Sequence, residues 1–478
     1  MSLKKQALSG VIWTFLQQFG IQSITFVVSL VLTRLLLPSE FGLIGMITIF
    51  IALGRTLIDS GLSQSLIRSE NPNQSDYSTV FYFNLFGSLV LYIIILLVAP
   101  YIADFYNQEV LKNIIRLYCL TFLINAFGTI QTTILTKQLK FKAQMMITIP
   151  SLILGSFTGI TMAYMGYGVW SLVWSAIVQS FSNTLLLWFW SSWRPALVFD
   201  WSRFNYHFHF GYKLTFSSVL DTIFNNIYSI IIGKFFAPTQ VGFFTRADSL
   251  KQFPVNIIGK ILNKVTFPLF ASIQNDDVRL KNVYKKIMQM VVFLVAPLLV
   301  FTAVLAEPLF RFLFTEKWLP AVPYFQILCL NGILHPIHSY NLNVLKVKGR
   351  SDLFLKLEVL KKIILLGVIL VSFHFGIFGL LYGSVLFSVL AFFINTHYTA
   401  KFINYTAFEQ FKDIAPIILL SFFVGVLLYF IDIFVAATAR NDFFRLLGSL
   451  PGVLIYFTLA YGFKMKPLHE LLLIIKRK

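Results

Sequence analysis

Long apolar runs separated by short polar segments occupy nearly the whole chain. Taking roughly 20 residues per membrane crossing, they predict spans near 10–36, 41–62, 79–103, 112–135, 145–166, 169–191, 211–236, 241–268, 286–309, 320–345, 353–374, 377–400, 412–434 and 443–463. Only helices or closed barrels satisfy every backbone group in lipid, and unbroken runs of this length select helices. The expected fold is an all-α integral membrane protein with about 14 transmembrane helices. Its boundaries are least defined at the fifth and sixth spans, separated by Gly166-Tyr167-Gly168, and at the eighth, which carries several charges.

One segment of this pattern recurs. Phe26 to Gly42 reads FVVSLVLTRLLLPSEFG, and two hundred residues later Asn226 to Gly242 reads NIYSIIIGKFFAPTQVG. Ser29, Pro38 and Gly42 return as Ser229, Pro238 and Gly242, while Arg34, Ser39 and Glu40 return as the chemically similar Lys234, Thr239 and Gln240. Apolar helices that end in Pro and Gly resemble one another without any duplication, so the weight rests on the ordered pattern and on the span count. Spans one and two recur as spans seven and eight, six helices on and in the same orientation. That spacing predicts two pseudo-symmetric six-helix lobes, 1–205 and 206–405, related by an axis along the membrane normal. Residues 406–478 then form two additional helices and a basic tail.

Composition agrees. The 478 residues are 57% hydrophobic and 12% charged with mean hydropathy +0.76, where soluble chains carry about 25% charged residues. A net charge of +19 could suggest a nucleic-acid partner, but the basic residues lie in short groups between apolar runs, which membrane orientation explains better. Lys4/Lys5, Lys137/Lys140/Lys142, Arg279/Lys281/Lys285/Lys286, Lys346/Lys348/Arg350 and the tail all fall on one side. The opposite loops Pro38 to Glu40 and Asp104 to Glu109 contain no Lys or Arg. Both termini are therefore expected in the cytoplasm, with Lys4 and Lys5 ahead of an uncleaved first span. Cys119 and Cys329 sit inside spans as small core residues.

Ionisable residues within spans are costly unless they face protein or water, and so mark candidate chemistry. Arg55 and Asp59, four apart in span two, share a helical face; cavity residues and snorkelling side chains are the two readings. In span eight Arg246, Lys260 and Lys264 fall within about 40° on a helical wheel. Asp248 and Lys251 share another face there, and Pro254 predicts a kink. A cationic helix facing lipid is unfavourable, so a hydrated cavity is the expected destination, with the cytoplasmic interface as the other reading for Lys260 and Lys264. Asp59, Asp221 in span seven and Glu358 in span eleven are candidate coupling-ion sites; Glu358 is also spaced to pair with Lys361 or Lys362 as a neutral structural unit. The pairs His207/His209 and His335/His338 lack the carboxylates and spacing of a metal site, and no phosphate loop or Ser/His/Asp arrangement is evident. Trp188, Trp190, Trp193 and Trp201 read as an aromatic belt.

Five segments carry a family resemblance: TRLLLPSEFGLIGM (Thr33 to Met46), LIDSGLSQSLIR (Leu57 to Arg68), TFPLFASIQNDDVRLKNVYKK (Thr266 to Lys286), FTEKWLPAVPYFQIL (Phe314 to Leu328) and VLKVKGRSDLFLK (Val344 to Lys356). In this order the chain resembles the polysaccharide and lipid-linked oligosaccharide flippases of the multidrug/oligosaccharidyl-lipid/polysaccharide exporter superfamily, in their Wzx-like and teichuronic-acid-exporter-like branch. The resemblance implies two six-helix lobes around a central cavity, two further helices, and alternating access that turns over a polyprenyl-pyrophosphate-linked glycan in a bacterial inner membrane. It implies a transporter without a catalytic residue or cofactor, coupled to protons, sodium or the membrane potential, with other polysaccharide-assembly membrane proteins as candidate partners. Cationic positions matching those of related cavities are Arg55 with Arg246 or Lys251. Asn225, Asn226, Tyr228, Gln252 and Asn256 offer polar and aromatic surface for sugars. The alternatives are a cation-coupled drug antiporter of the same superfamily, for which acidic residues should dominate the cavity, and a membrane glycan polymerase or acyltransferase, for which a large outer loop or a catalytic His is expected.

Overall fold

A computed structural model describes the backbone of residues 3–59, 61–438, 441–448 and 450–476, and the side chains of these except 3–12, 15, 59, 213–214, 256–265, 438 and 474–476. Among the described residues the secondary structure is helical throughout. The chain divides into two units, Met1–Gly242 and Phe243–Lys478. The first holds α1 (Leu3–Leu35), α2 (Pro38–Asp59), α3 (Leu62–Arg68), α4 (Gln74–Tyr106), α5 (Val110–Tyr118), α6 (Leu120–Lys137), α7 (Phe141–Tyr164), α8 (Val169–Trp190), α9 (Trp201–Asn225), α10 (Ile227–Phe235) and the first turn of α11 (Pro238–Ser272). The second continues α11 and adds α12 (Asp277–Val304), α13 (Ala306–Phe314), a 3-10 turn (Glu316–Ala321), α14 (Val322–Val347), α15 (Ser351–Phe373), α16 (Gly376–Ile403), α17 (Ala407–Thr438), α18 (Asp442–Leu447), α19 (Leu450–Gly462) and α20 (Lys466–Lys476).

Local chemistry sets the helix ends. At the start of α4 a capping box forms: the Asn73 side chain accepts from the Asp76 amide at 3.1 Å while the Asp76 carboxylate accepts from the Asn73 amide at 2.8 Å. The same helix stops at Asn107, in the left-handed region at φ 52°. α7 and α8 pack through Gly155 and Gly159, one helical turn apart. A Cβ on Gly155 would lie 2.7 Å from the Ser175 carbonyl oxygen, so bulk at this face would force the helices apart. Leu62, Leu66, Val80, Phe81 and Ile130 form a buried cluster joining α3, α4 and α6. The second unit is packed around larger rings, among them the fully buried Tyr284, Phe293, Phe310, Trp318 and Tyr456.

Ten helical segments among the described residues are long and apolar enough to cross a membrane: 16–35, 38–68, 74–106, 110–137, 141–164, 169–190, 277–304, 376–403, 407–437 and 442–462. This is a multi-pass membrane protein. The four other expected spans fall on helical chain in α9–α10, α11, α14 and α15, where acids, bases and amides dilute the apolar runs. The expected seventh span is interrupted, because α9 ends at Asn225 and Asn226, at φ −106° and ψ 5°, precedes α10. α11 continues through both Pro254 and Pro268 as one helix.

The two copies of the repeated segment meet within the first unit. A Cβ on Gly42 would fall 1.8 Å from the Pro238 carbonyl oxygen, and a Cβ on Gly242 would fall 2.0 Å from the Pro38 carbonyl oxygen. The contact is reciprocal: the first turns of α2 and α11 present the same two residues to each other. Only glycine leaves room for this approach of one backbone to another. Lys234, the counterpart of Arg34, donates to the Phe105 carbonyl at 2.6 Å, where a cation stabilises the carboxyl end of α4.

Candidate functional site

The first unit contains an open cavity of about 410 Å³ between α2, α3, α6 and α8, a size typical of small-ligand sites. Its longest wall is α6, where Asn125, Thr129, Thr132 and Thr136 recur at helical spacing and so project from one face. α2 supplies Arg55, α3 supplies Ser63 and Gln64, and α8 supplies Asn183 and Thr184. The α6–α8 wall closes at Gly128, where a Cβ would lie 2.9 Å from the Leu187 side chain, and the Thr184 hydroxyl donates to the Ile124 carbonyl at 2.9 Å. At the far end Lys137 Nζ donates to the Leu66 and Ile67 carbonyls at 3.2 and 3.1 Å and also to that of Ser69, tying α6 to the carboxyl end of α3. None of the lining residues is an acid. Arg55, Gln64 and Thr132 are exposed, and in a membrane bundle such a face requires water or protein opposite it.

Of the other sequence-derived candidates with described side chains, none is among the residues that line this cavity. In the second unit Lys251 is buried and its Nζ stands 2.6 Å from Asp248. Its alkyl chain packs at the Gly332 position of α14. The Arg246 guanidinium carbon lies 5.6 Å from the ring centres of both Phe314 and Trp318, a cation–π arrangement. Glu358 pairs with Lys361 at 2.6 Å. In the first unit Asp221 and Asn225 are exposed on α9 and do not line the Arg55 cavity. The side chains of Asp59, Asn256, Lys260 and Lys264 lie outside the described residues. No group of three or more His, Cys, Asp or Glu side chains among the described residues is placed to hold a metal ion.

The polysaccharide biosynthesis protein family has a sequence profile that matches residues 31–323, from the first repeated corner through the whole Arg55 cavity and into the second unit. The chain belongs to this family. Among similar proteins, the teichuronic acid biosynthesis protein TuaB of Bacillus subtilis (strain 168) is 28% identical over 355 residues, 74% of this chain and 73% of that protein. The lipopolysaccharide biosynthesis protein WzxC of Escherichia coli (strain K12) is 25% identical over 397 residues, covering 82% of this chain and 80% of that protein. The fold is also that of the lipid II flippase MurJ in an inward closed conformation, with TM-score 0.75 and 12% identity over 95% of this chain and 98% of the other. A multidrug resistance MATE family transporter of the MOP superfamily follows at TM-score 0.61 and 16% identity, over 80% and 96%. These two likenesses show that the chain has the fold of MurJ and of the MATE transporter.

Sequence reasoning passed over one cluster in this polysaccharide biosynthesis family member. Asp76 accepts from Arg203 at 2.6 Å and stands 3.3 Å from Nε2 of His207, whose Nδ1 lies 2.8 Å from the Ser65 hydroxyl. A Ser/His/Asp connection that the sequence did not reveal is therefore present, assembled from residues up to 142 positions apart. It is not a nucleophile: Ser65 is 1% exposed and the neighbouring cavity is lined instead by Ser63, Gln64 and Ile67. His207 lies in helix α9 rather than the loop expected for it, ahead of the predicted span 211–236. Burial holds its pKa below the usual histidine range, partly offset by the Asp76 carboxylate. The segment joining α8 to α9 is fastened to α4 nearby. Trp193 donates to the Gln74 side chain at 2.7 Å, the Ala196 amide to Ser78 at 3.0 Å, and the Asp200 amide to Thr79 at 3.0 Å. Trp193, expected in an aromatic belt, thus helps hold this segment. The capping-box spacing of Asn73 and Asp76 was the one local signal in the sequence.

Proposed function

We propose that this protein is a flippase that moves a polyprenyl-pyrophosphate-linked oligosaccharide from the cytoplasmic to the outer leaflet of a bacterial inner membrane, for surface polysaccharide synthesis. The observation that carries the reading is a threonine- and amide-lined cavity with an exposed arginine and no acid among its described lining residues, built into a bundle of helices long and apolar enough to cross a membrane. A lipid-linked glycan needs polar contacts for its sugars and a cation for its pyrophosphate while both leave bulk water, and Arg55 offers the planar donor fork that suits phosphate. The lipid tail stays in the bilayer. No bond is made or broken, so the role calls for binding and conformational change alone.

In this reading fourteen spans form two six-helix repeats and a terminal pair, both termini are cytoplasmic, and rocking of the repeats exposes the site alternately to each side. An inside-negative membrane potential favours outward movement of the anionic head group by about 2.3 kcal/mol per charge per 100 mV; Asp221, Glu358 and Asp59 are the acids available for proton or sodium exchange. Arg246 and Lys251 with Lys260, Lys264, Asn225 and Asn256 would extend the substrate path. Likeness to a MATE transporter supports the fold, and the lack of an acid among the described lining residues favours the flippase over a cation antiporter. The test is reconstitution in liposomes with a fluorescent undecaprenyl-pyrophosphate oligosaccharide and a membrane-impermeant quencher. Protein-dependent loss of protected signal is expected; equal protection in empty liposomes across a panel of lipid-linked glycans overturns the proposal.

A further inference from the structure

The threonines of the Arg55 cavity have already committed their protons. Thr129 donates to the Asn125 carbonyl at 3.0 Å, Thr132 to Gly128 at 3.1 Å, Thr133 to Thr129 at 2.9 Å and Thr136 to Thr132 at 2.9 Å. Thr184 donates across to Ile124 at 2.9 Å. A hydroxyl has one proton and two lone pairs, so a hydroxyl that back-bonds to its own helix shows the cavity only acceptor oxygen. The Thr136 oxygen already accepts from Gln144 at 2.8 Å, which uses one of its two lone pairs, so Thr129 and Thr132 are the more open acceptors on the cavity side of α6. Ser63 Oγ is buried and makes no hydrogen bond among the described atoms. Amides at Asn125, Asn183 and Gln64 can give or take.

This wall suits a ligand rich in donors and repels one made only of acceptors. A pyrophosphate would set its oxygens against those of the threonines, whereas sugar hydroxyls would donate to them. Among the described lining residues the one cation is Arg55, on α2. We infer that the α6 threonine face is a carbohydrate subsite of this protein, taking the hydroxyl groups of one or two sugar units while the pyrophosphate of the same substrate stays at Arg55. The inference rests on the flippase reading and adds to it an orientation: sugars enter between α6 and α8, and the charged link lies towards α2. Selectivity then depends on hydroxyl count and arrangement, and sugars whose hydroxyls are capped by methyl or acetyl groups are poor ligands because they lose donors.

The test uses the full chain with Thr129→Val/Thr132→Val, and Thr129→Ser/Thr132→Ser as the variant that keeps both oxygens. Two readouts are needed. One is flipping of the fluorescent undecaprenyl-pyrophosphate oligosaccharide; the other is calorimetric binding, in lipid nanodiscs, of the soluble oligosaccharide released by mild acid from the lipid-linked pool of the producing strain. Two lost hydrogen bonds predict about a tenfold weaker oligosaccharide affinity in the valine pair, near-normal affinity in the serine pair, and competition by the native oligosaccharide but not by its permethylated form. Should the valine pair fail to fold, Asn183→Ala tests the facing wall with the same expectation of weakened binding. Unchanged affinity in the valine pair or in Asn183→Ala, or no binding of the soluble oligosaccharide to the unsubstituted protein, overturns the subsite. Oligosaccharide binding without flipping in liposomes instead counts against the flippase reading and leaves the subsite standing.

Discussion

Replacing Gly42 with alanine tests the reciprocal contact between the repeated corners. The new Cβ would stand 1.8 Å from the Pro238 carbonyl oxygen, whereas carbon and oxygen settle near 3.4 Å. The first turns of α2 and α11 must therefore separate by about 1.5 Å, a strain that overpacking data place at about 1–3 kcal/mol. The same reasoning applies to Gly242→Ala, whose Cβ would meet the Pro38 carbonyl oxygen at 2.0 Å. Because both substitutions open one contact, the double variant should lose clearly less than the sum of the singles. Thermal unfolding in detergent measures the loss. Labelling of a cysteine placed at the buried Leu36 or Val241 by a membrane-impermeant maleimide measures the opening, with little background because Cys119 and Cys329 are buried. The singles should raise the labelling rate and lower the unfolding temperature together. Additive losses, or single variants as stable and as slowly labelled as the parent, would refute a shared close contact.

Three further expectations follow from the site geometry. Arg55→Ala should reduce flipping of the lipid-linked oligosaccharide by an order of magnitude or more, and Arg55→Lys should restore part of it, because a lysine keeps the charge and loses the fork; rates in liposomes decide. Asp248→Ala should destabilise the second unit by about 2 kcal/mol, less than for a fully buried pair because the Asp248 side chain is 30% exposed, and Lys251→Met in the same chain should recover most of it, as read by thermal unfolding. His207 carries a pH signature: its folded pKa is lowered by burial, so below about pH 6.5 the unfolded chain takes up a proton that the folded chain refuses. Its contribution is therefore complete above that pH and is lost as pH falls, and His207→Gln should flatten this part of the stability profile.

Fold class was legible because apolar run length is a direct consequence of bilayer thickness. The ion pair Glu358–Lys361 was legible too, and so was the shared face of Asp248 and Lys251, both being local products of helical spacing. What escaped were contacts fixed by packing between distant segments. Nothing near Asp76 in sequence announces Arg203 or His207, and the threonines of α6 read as ordinary polar relief in an apolar run until α3 and α8 close a cavity around them. The setting of Arg246 escaped in another way: the rings of Phe314 and Trp318 that lie against it are about 70 residues downstream.

The fastening of the α8–α9 segment onto α4 bears on how members of this family can be recombined. A cut at the proposed seam between two six-helix repeats would fall near residue 205. Yet Gln74, Asp76, Ser78 and Thr79 grip chain on both sides of that seam, from Trp193 to His207. A chimera joined at the seam would keep one parent's sockets and acquire the other's plugs. Exchanges that carry residues 74–79 and 191–207 from a single parent should insert into membranes and fold, while those that split them should be degraded.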